Sequence, residues 1–163
     1  MILAVTGHRP DSLGGYSPCP LHGYLKERLH AKLSLHKPEK VYTGMALGWD
    51  QWTAEACIQL GIPFVAVIPF PNQSSKWPTH SHLHYLDLLK AAAESVTVSP
   101  KFSPTAFQRR NEYMVDKLGR GDVLLSCHNG SSGGTANCLE YAKERQQYEG
   151  FEIINIDPSR SPL

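Results

Sequence analysis

Five consecutive apolar residues, Phe64–Ile68, restrict the fold of this chain more than any other segment. A strand with one wet face alternates apolar and polar residues. A run without alternation must be covered on both faces, as in a parallel sheet flanked by helices. The rest of the chain agrees with that architecture. Ile2–Val5, Lys40–Tyr42, Ser95–Val98, Asp122–Ser126 and Phe151–Ile156 read as further short strands. Between them lie segments of helical period. Leu21, Leu25, Leu29 and Leu33 recur every four residues; Trp52, Ala56 and Leu60 precede the stop signal of Gly61 and Pro63. Leu83, Leu86 and Leu89 predict a helix continuing through Ala91–Ala93. Phe107, Met114 and Leu118 predict one ended by Gly119, and Thr135–Gln146 predicts the last. Six or seven strands alternating with five helices indicate an α/β fold: a single Rossmann-like domain, with a mostly parallel sheet and helices on both faces. The domain is expected over residues 1–157, with 158–163 as a loose C-terminal tail.

Charge and cysteine usage narrow the function classes. Sixteen Lys and Arg against fifteen Asp and Glu leave a net charge of +1. That balance argues against a protein built mainly to hold a nucleic-acid backbone, which needs a cationic excess or stripe. The start, MILAVTGHRP, lacks the basic region and longer apolar core of a signal peptide, and no apolar run is long enough to cross a bilayer. Cys19, Cys57, Cys127 and Cys138 are scattered, with no C-x-x-C pair, and read as reduced thiols. A cytoplasmic protein with no membrane partner is expected.

In such a sheet, ligands collect outside the carboxyl ends of the strands. Three unusual segments fall there. Thr6, Gly7, His8 and Arg9 follow the first strand. Gly44, Met45, Gly48 and Asp50 follow the second. Gly130, Ser131, Ser132, Gly133, Gly134 and Thr135 follow the strand ending near Ser126. Glycine lets backbone approach a phosphate, helix-start N–H groups point at the anion, and the Ser and Thr hydroxyls add donors. The same spacing fits an ordinary strand-to-helix turn with Thr135 as N-cap. Asp50 fits either a helix cap or a bond to a ribose hydroxyl.

Taken together these segments resemble the YpsA-like branch of the SLOG superfamily, which also includes the LOG phosphoribohydrolases and the DNA-processing protein DprA. The matching stretches are VTGHRP and LGGY (5–10, 13–16), TGMALGWDQWTAEA (43–56) and IPF (68–70). They continue with Trp77-Pro78, RNEYMVD (110–116) and NGSSGGTAN (129–137). The resemblance implies a Rossmann-like fold with a nucleotide-type ligand between the GMALG and GGT turns, touching Arg110, Asn111 and Asn137, with Trp77 covering a base. LOG-type hydrolases pair an arginine with an acidic residue shortly after the Gly-Thr. Arg110 stands in the arginine's place. After Thr135, however, the chain reads Ala136-Asn137-Cys138, so the LOG-type catalytic acid is not matched. An amide cannot serve as general base or carboxylate nucleophile.

The leading expectation is therefore a sensor or sequestering protein that binds a nucleotide or nucleotide derivative with an ADP-ribose or nucleoside-monophosphate core. The alternative is a hydrolase or transferase acting at an N-glycosidic bond. That reaction needs a carboxylate, for which Asp50 and Asp116 lead, with Glu55 and Glu112 behind them. Single-stranded nucleic acid is a third, weaker reading. His80, His82 and His84 offer half a zinc site and no third ligand, so no metal is expected, nor any cofactor. Cys138 sits where a thiolate would be favoured, but with no histidine beside it a packing role is expected. Trp49 and Trp52 read as core or interface residues. Related folds often assemble as dimers, so a homo-oligomer is compatible with this chain.

Overall fold

A computed structural model describes residues 1–162; Leu163, the last residue of the expected tail, lies outside the described residues. Six strands form one sheet: β1 (Ile2–Gly7), β2 (Lys40–Thr43), β3 (Phe64–Ile68), β4 (Glu94–Thr97), β5 (Val123–Cys127) and β6 (Glu152–Ile156). Five α-helices connect them: α1 (Pro20–His36), α2 (Trp49–Leu60), α3 (Thr79–Ala91), α4 (Ala106–Val115) and α5 (Gly134–Glu149). Every strand pairing is parallel, in the spatial order β4-β3-β2-β1-β5-β6. The chain walks outward from β1 to the β4 edge, then returns to lay β5 on the other side of β1. The β1/β5 boundary is therefore the topological switch point, where loops leave to opposite faces and open a crevice.

Strand alternation divides the core into two layers. Leu3, Val5, Val41, Phe64, Ala66 and Leu125 point to one face, where Leu25, Leu29 and Leu33 of α1 meet α2 and the Tyr85 and Leu88 side chains of α3. Ala4, Tyr42, Val65, Val67 and Leu124 point to the other, against Met114 and Val115 of α4 and Cys138, Leu139 and Ala142 of α5. The apolar run Phe64–Ile68 is buried at every residue because β3 is covered on both faces. Both anticipated tryptophans are buried, Trp49 completely.

Two helices stop earlier than their apolar periodicity suggests. α3 ends at Ala91: Ala92 is extended, and Ala93 N donates to Phe64 O at 2.9 Å, which starts the pairing of β4. α4 ends at Val115, and Leu118 is buried from the turn that follows rather than from the helix. After β6, Asp157 accepts from Ser159 N and caps a 3-10 turn at Pro158–Arg160. No helix among the described residues is long and apolar enough to cross a membrane.

Candidate functional site

At the switch point lies a cavity of about 360 Å³. Its walls come from the loop after β1, the start of α2, one face of α4 and the glycine-rich loop into α5. Twelve of the residues expected to bind ligand line it: Thr6, Gly7, His8, Arg9, Asp50, Arg110, Asn111, Ser131, Ser132, Gly133, Gly134 and Thr135. Segments separated by more than a hundred residues converge because β1 and β5 are neighbours, with Thr6 opposite Ser126 in the register.

The two helix starts at the cavity are in different states. At α2, Trp49 N donates to His8 O at 3.3 Å and Gln51 N to Ala46 O at 3.2 Å, so neighbouring loops meet its first amides. At α5 the N-cap is Gly133 rather than Thr135, no side chain caps the helix, and the first turn holds no acidic residue. The space where a Cβ would stand at Gly133 and Gly134 is open. The first N–H groups of a helix have no intrahelical acceptor and carry the positive end of its dipole. This start is therefore the more suitable of the two for an anion.

Arg110 enters from α4 and is almost wholly buried. Its Nη1 donates to Gly44 O at 2.5 Å and its Nε to Asn111 Oδ1 at 2.8 Å. A Cβ on Gly44 would come within 2.4 Å of the guanidinium, so only glycine permits this approach. Burial lowers the Arg110 pKa, and the nearby Asp50 carboxylate opposes that shift. Arg9 lies with its guanidinium carbon 5.4 Å from the Phe107 ring centroid, at the rim of the cavity.

Asp50, in the first turn of α2, is buried and lines the cavity. Its Oδ2 accepts from Ala46 N at 3.3 Å, while Oδ1 has no hydrogen-bond partner. Burial pushes its pKa up, and the Arg110 charge pulls it back. A carboxyl of this kind holds a proton more readily than an exposed one, and its unpartnered Oδ1 is itself buried. His8 is buried beside Asn129, with Asn129 N 3.1 Å and Asn129 Oδ1 3.0 Å from its Nε2. Burial depresses its pKa, so the ring is neutral at pH 7.

The remaining candidates lie elsewhere. Met45 is fully buried in the α1/α2 core layer, with a left-handed φ of 63°. Gly44 and Gly48 shape the β2–α2 turn behind the cavity wall. Gly130 turns the loop before the residues that line it. Asn137 opens onto a shallow outer depression with Gln108 and Tyr141. Trp77 lines a separate cleft. Asp116 is outside the cavity: Tyr141 donates to its Oδ1 at 2.7 Å and Arg145 lies 3.7 Å away. Glu55 pairs with His84 Nε2 at 2.8 Å, His82 Nδ1 lies 2.8 Å from Ser74 Oγ, and no cluster of three metal-ligating side chains exists among the described residues. The Cys138 thiol is buried and its pKa is pushed up to about 11, so the helix start does not make it a thiolate.

Five lining residues were not anticipated: Asp11, Ser12, Ala46, Phe107 and Ala136. Phe107 precedes Arg110 by three positions, so the helical period places both on one face of α4. The sequence carries that signal, which the apolar character of Phe107 also fits to a buried helix face. Asp11 and Ser12 simply extend the β1 loop. The alanines carry no chemistry that a sequence could advertise.

Comparison with known proteins bears on the family and the fold. The family model described as the YspA SLOG family (YpsA) matches residues 3–160. The SPbeta prophage-derived protein YoqJ of Bacillus subtilis is 31% identical over 156 residues, covering 82% of this chain and 88% of its own. A UPF0398 protein of Halalkalibacterium halodurans is 31% identical over 173 residues, covering 96% and 88%. Among solved structures, DprA from Streptococcus pneumoniae superposes with a TM-score of 0.60 at 16% identity, covering 94% of this chain. This chain spans about half, 49%, of that protein. DprA from Helicobacter pylori, described with a unique single-stranded DNA binding mode, gives 0.62 at 16% identity, covering 94% of this chain and 64% of its own. TM1055 gives 0.57 at 17%, covering 88% and 69%. At such identities the structural likeness speaks for the fold, whereas the family match covers nearly the whole chain. The chain belongs to the YpsA family of the SLOG superfamily.

Proposed function

We propose that this protein binds a nucleotide or nucleotide derivative, with an ADP-ribose or nucleoside-monophosphate core, in the switch-point cavity, and acts as a sensor or sequestering protein. The observation that carries this reading is the uncapped, acid-free start of α5 facing Arg9 and the buried Arg110. Backbone amides, a helix dipole and guanidinium groups together favour a phosphate. Thr6, Ser132 and Thr135 supply hydroxyls around the same space. Calorimetry across a panel of nucleoside phosphates and ADP-ribose is expected to find a binder that is recovered intact. The variant Gly134→Asp separates binding from folding. Its side chain enters open space at the first helical position, where a carboxylate favours the helix but occupies and repels the anion site. Stability should hold or rise slightly, while affinity falls by about ten-fold or more. No binding by the wild-type protein anywhere in the panel would sink the proposal.

A specific observation favours a second reading, cleavage or transfer at an N-glycosidic bond. Asp50 lines the cavity, its Oδ1 has no hydrogen-bond partner, and burial raises its pKa, as a proton-transferring carboxyl requires. In that case free base is released from the bound nucleotide, and Asp50→Asn abolishes the release without abolishing binding. Release that persists in the Asn variant removes Asp50 from the chemistry. The likeness in fold to DprA keeps single strands among the ligands to test. Binding stronger to single-stranded DNA than to any free nucleotide, with a steep dependence on salt, would replace both readings.

A further inference from the structure

A second cleft of about 550 Å³ opens beyond the carboxyl ends of β3 and β4, lined by Phe70, Asn72, Gln73, Trp77, Lys101 and Phe102 among others. Its character differs from that of the first cavity: aromatic walls, the exposed Asn72 amide, and the Lys76 and Lys101 ammonium groups. Phe102 is 64% exposed although its ring meets Phe70 edge-on at 5.3 Å. A single exposed ring is ordinary on a protein surface. One that forms the wall of a cleft is a platform.

Two contacts join the cleft to the switch-point cavity. Phe70, in the cleft, packs edge-on against Phe107, in the cavity, with centroids 5.4 Å apart. Gly44 O accepts from Arg110 Nη1 on the cavity side and from Gln73 Nε2, at 3.4 Å, on the cleft side. One ring pair and one carbonyl therefore separate an anion-suited pocket from an aromatic one.

We infer that the cleft of Phe70, Trp77 and Phe102 is the base subsite of the same ligand, which lies across Phe107 with its phosphate at the α5 start. This inference rests on the nucleotide-binding reading above. The shared chemistry is a planar nucleobase joined through a sugar to a phosphate, and the source is a free nucleotide. Base stacking on aromatic side chains tolerates any base, while the exposed Asn72 amide can read its edge. The site then distinguishes nucleotides from phosphosugars that share only the anionic end.

The test compares ribose 5-phosphate with the four common nucleoside 5′-monophosphates by calorimetry, on the wild-type protein and on Phe102→Ala. Phe102 is exposed, so its removal leaves the core intact. At least one nucleotide should bind wild type about ten-fold or more tighter than ribose 5-phosphate, and Phe102→Ala should remove most of that advantage without changing the ribose 5-phosphate affinity. Equal affinity for sugar phosphate and nucleotides, or no effect of Phe102→Ala on nucleotides, overturns the base subsite and leaves the anion site standing. Binding of neither ligand class overturns both. An oligothymidylate whose affinity alone depends on Phe102 would mean that the base belongs to a strand, and would also overturn the inference.

Discussion

Alanine at Gly7 is expected to destabilise the protein by about 3 kcal/mol, the upper part of the usual range for overpacking a core. A Cβ there would stand 2.4 Å from Cδ1, 2.5 Å from Cγ and 2.7 Å from Cβ of Trp49. These atoms are at the root of the indole, so no change of side-chain rotamer alone relieves the clash. Trp49 is fully buried, and it begins α2. The helix start must therefore retreat from β1, carrying Asp50 with it and breaking the 3.3 Å bond from Trp49 N to His8 O. Urea unfolding should show the lost stability, and nucleotide affinity should fall with it because the cavity wall has moved. A loss below about 1 kcal/mol would mean that α2 shifts freely.

Arg110→Met removes a buried charge while keeping much of the side-chain volume. Breaking one member of a buried charged constellation costs about 3–5 kcal/mol, mostly through groups left behind. Here those groups are Gly44 O, Asn111 Oδ1 and the Asp50 carboxyl. Without the guanidinium, the Asp50 pKa, already raised by burial from 3.8, rises further. A carboxyl whose folded-state pKa exceeds its unfolded value stabilises the fold fully below the unfolded pKa, and that contribution is lost as pH rises through the folded pKa. The deficit of Arg110→Met relative to wild type should therefore be smallest in acid and grow toward neutral pH. Adding Asp50→Asn should recover part of it at pH 7. Additive losses in the double variant, measured by urea unfolding, would show that the two residues are not coupled. Ligand binding should be lost in both variants that lack Arg110.

Much of this architecture was legible in the sequence. The unbroken apolar run of β3 requires cover on both faces, and the four-residue leucine spacing of α1 selects one buried stripe. Strand ends were displaced by only a residue or two, because edges are set by pairing partners rather than by the strand itself. Ala93 illustrates this: its N–H bonds to Phe64 O, so a segment with good helical propensity becomes extended. Leu118 likewise satisfies its apolar character from a turn, which periodicity alone reads as helix.

The candidate site divides along the same line. Chain order and residue type determined that the TGHR, GMALGWD and GSSGGT segments stand at strand ends, because a parallel sheet puts every strand-to-helix loop on one edge. Which of them share a cavity depends on the strand order, and only the tertiary structure decided that β5 lies beside β1. The same packing placed Asp50 in the crevice with Arg110 and turned Asp116 outward to Tyr141 and Arg145. It also split Trp77 from the glycine-rich loop before α5, putting a second, aromatic cleft beyond Phe107. Local periodicity reports which face of an element is buried, whereas convergence depends on distances between elements that no local pattern encodes.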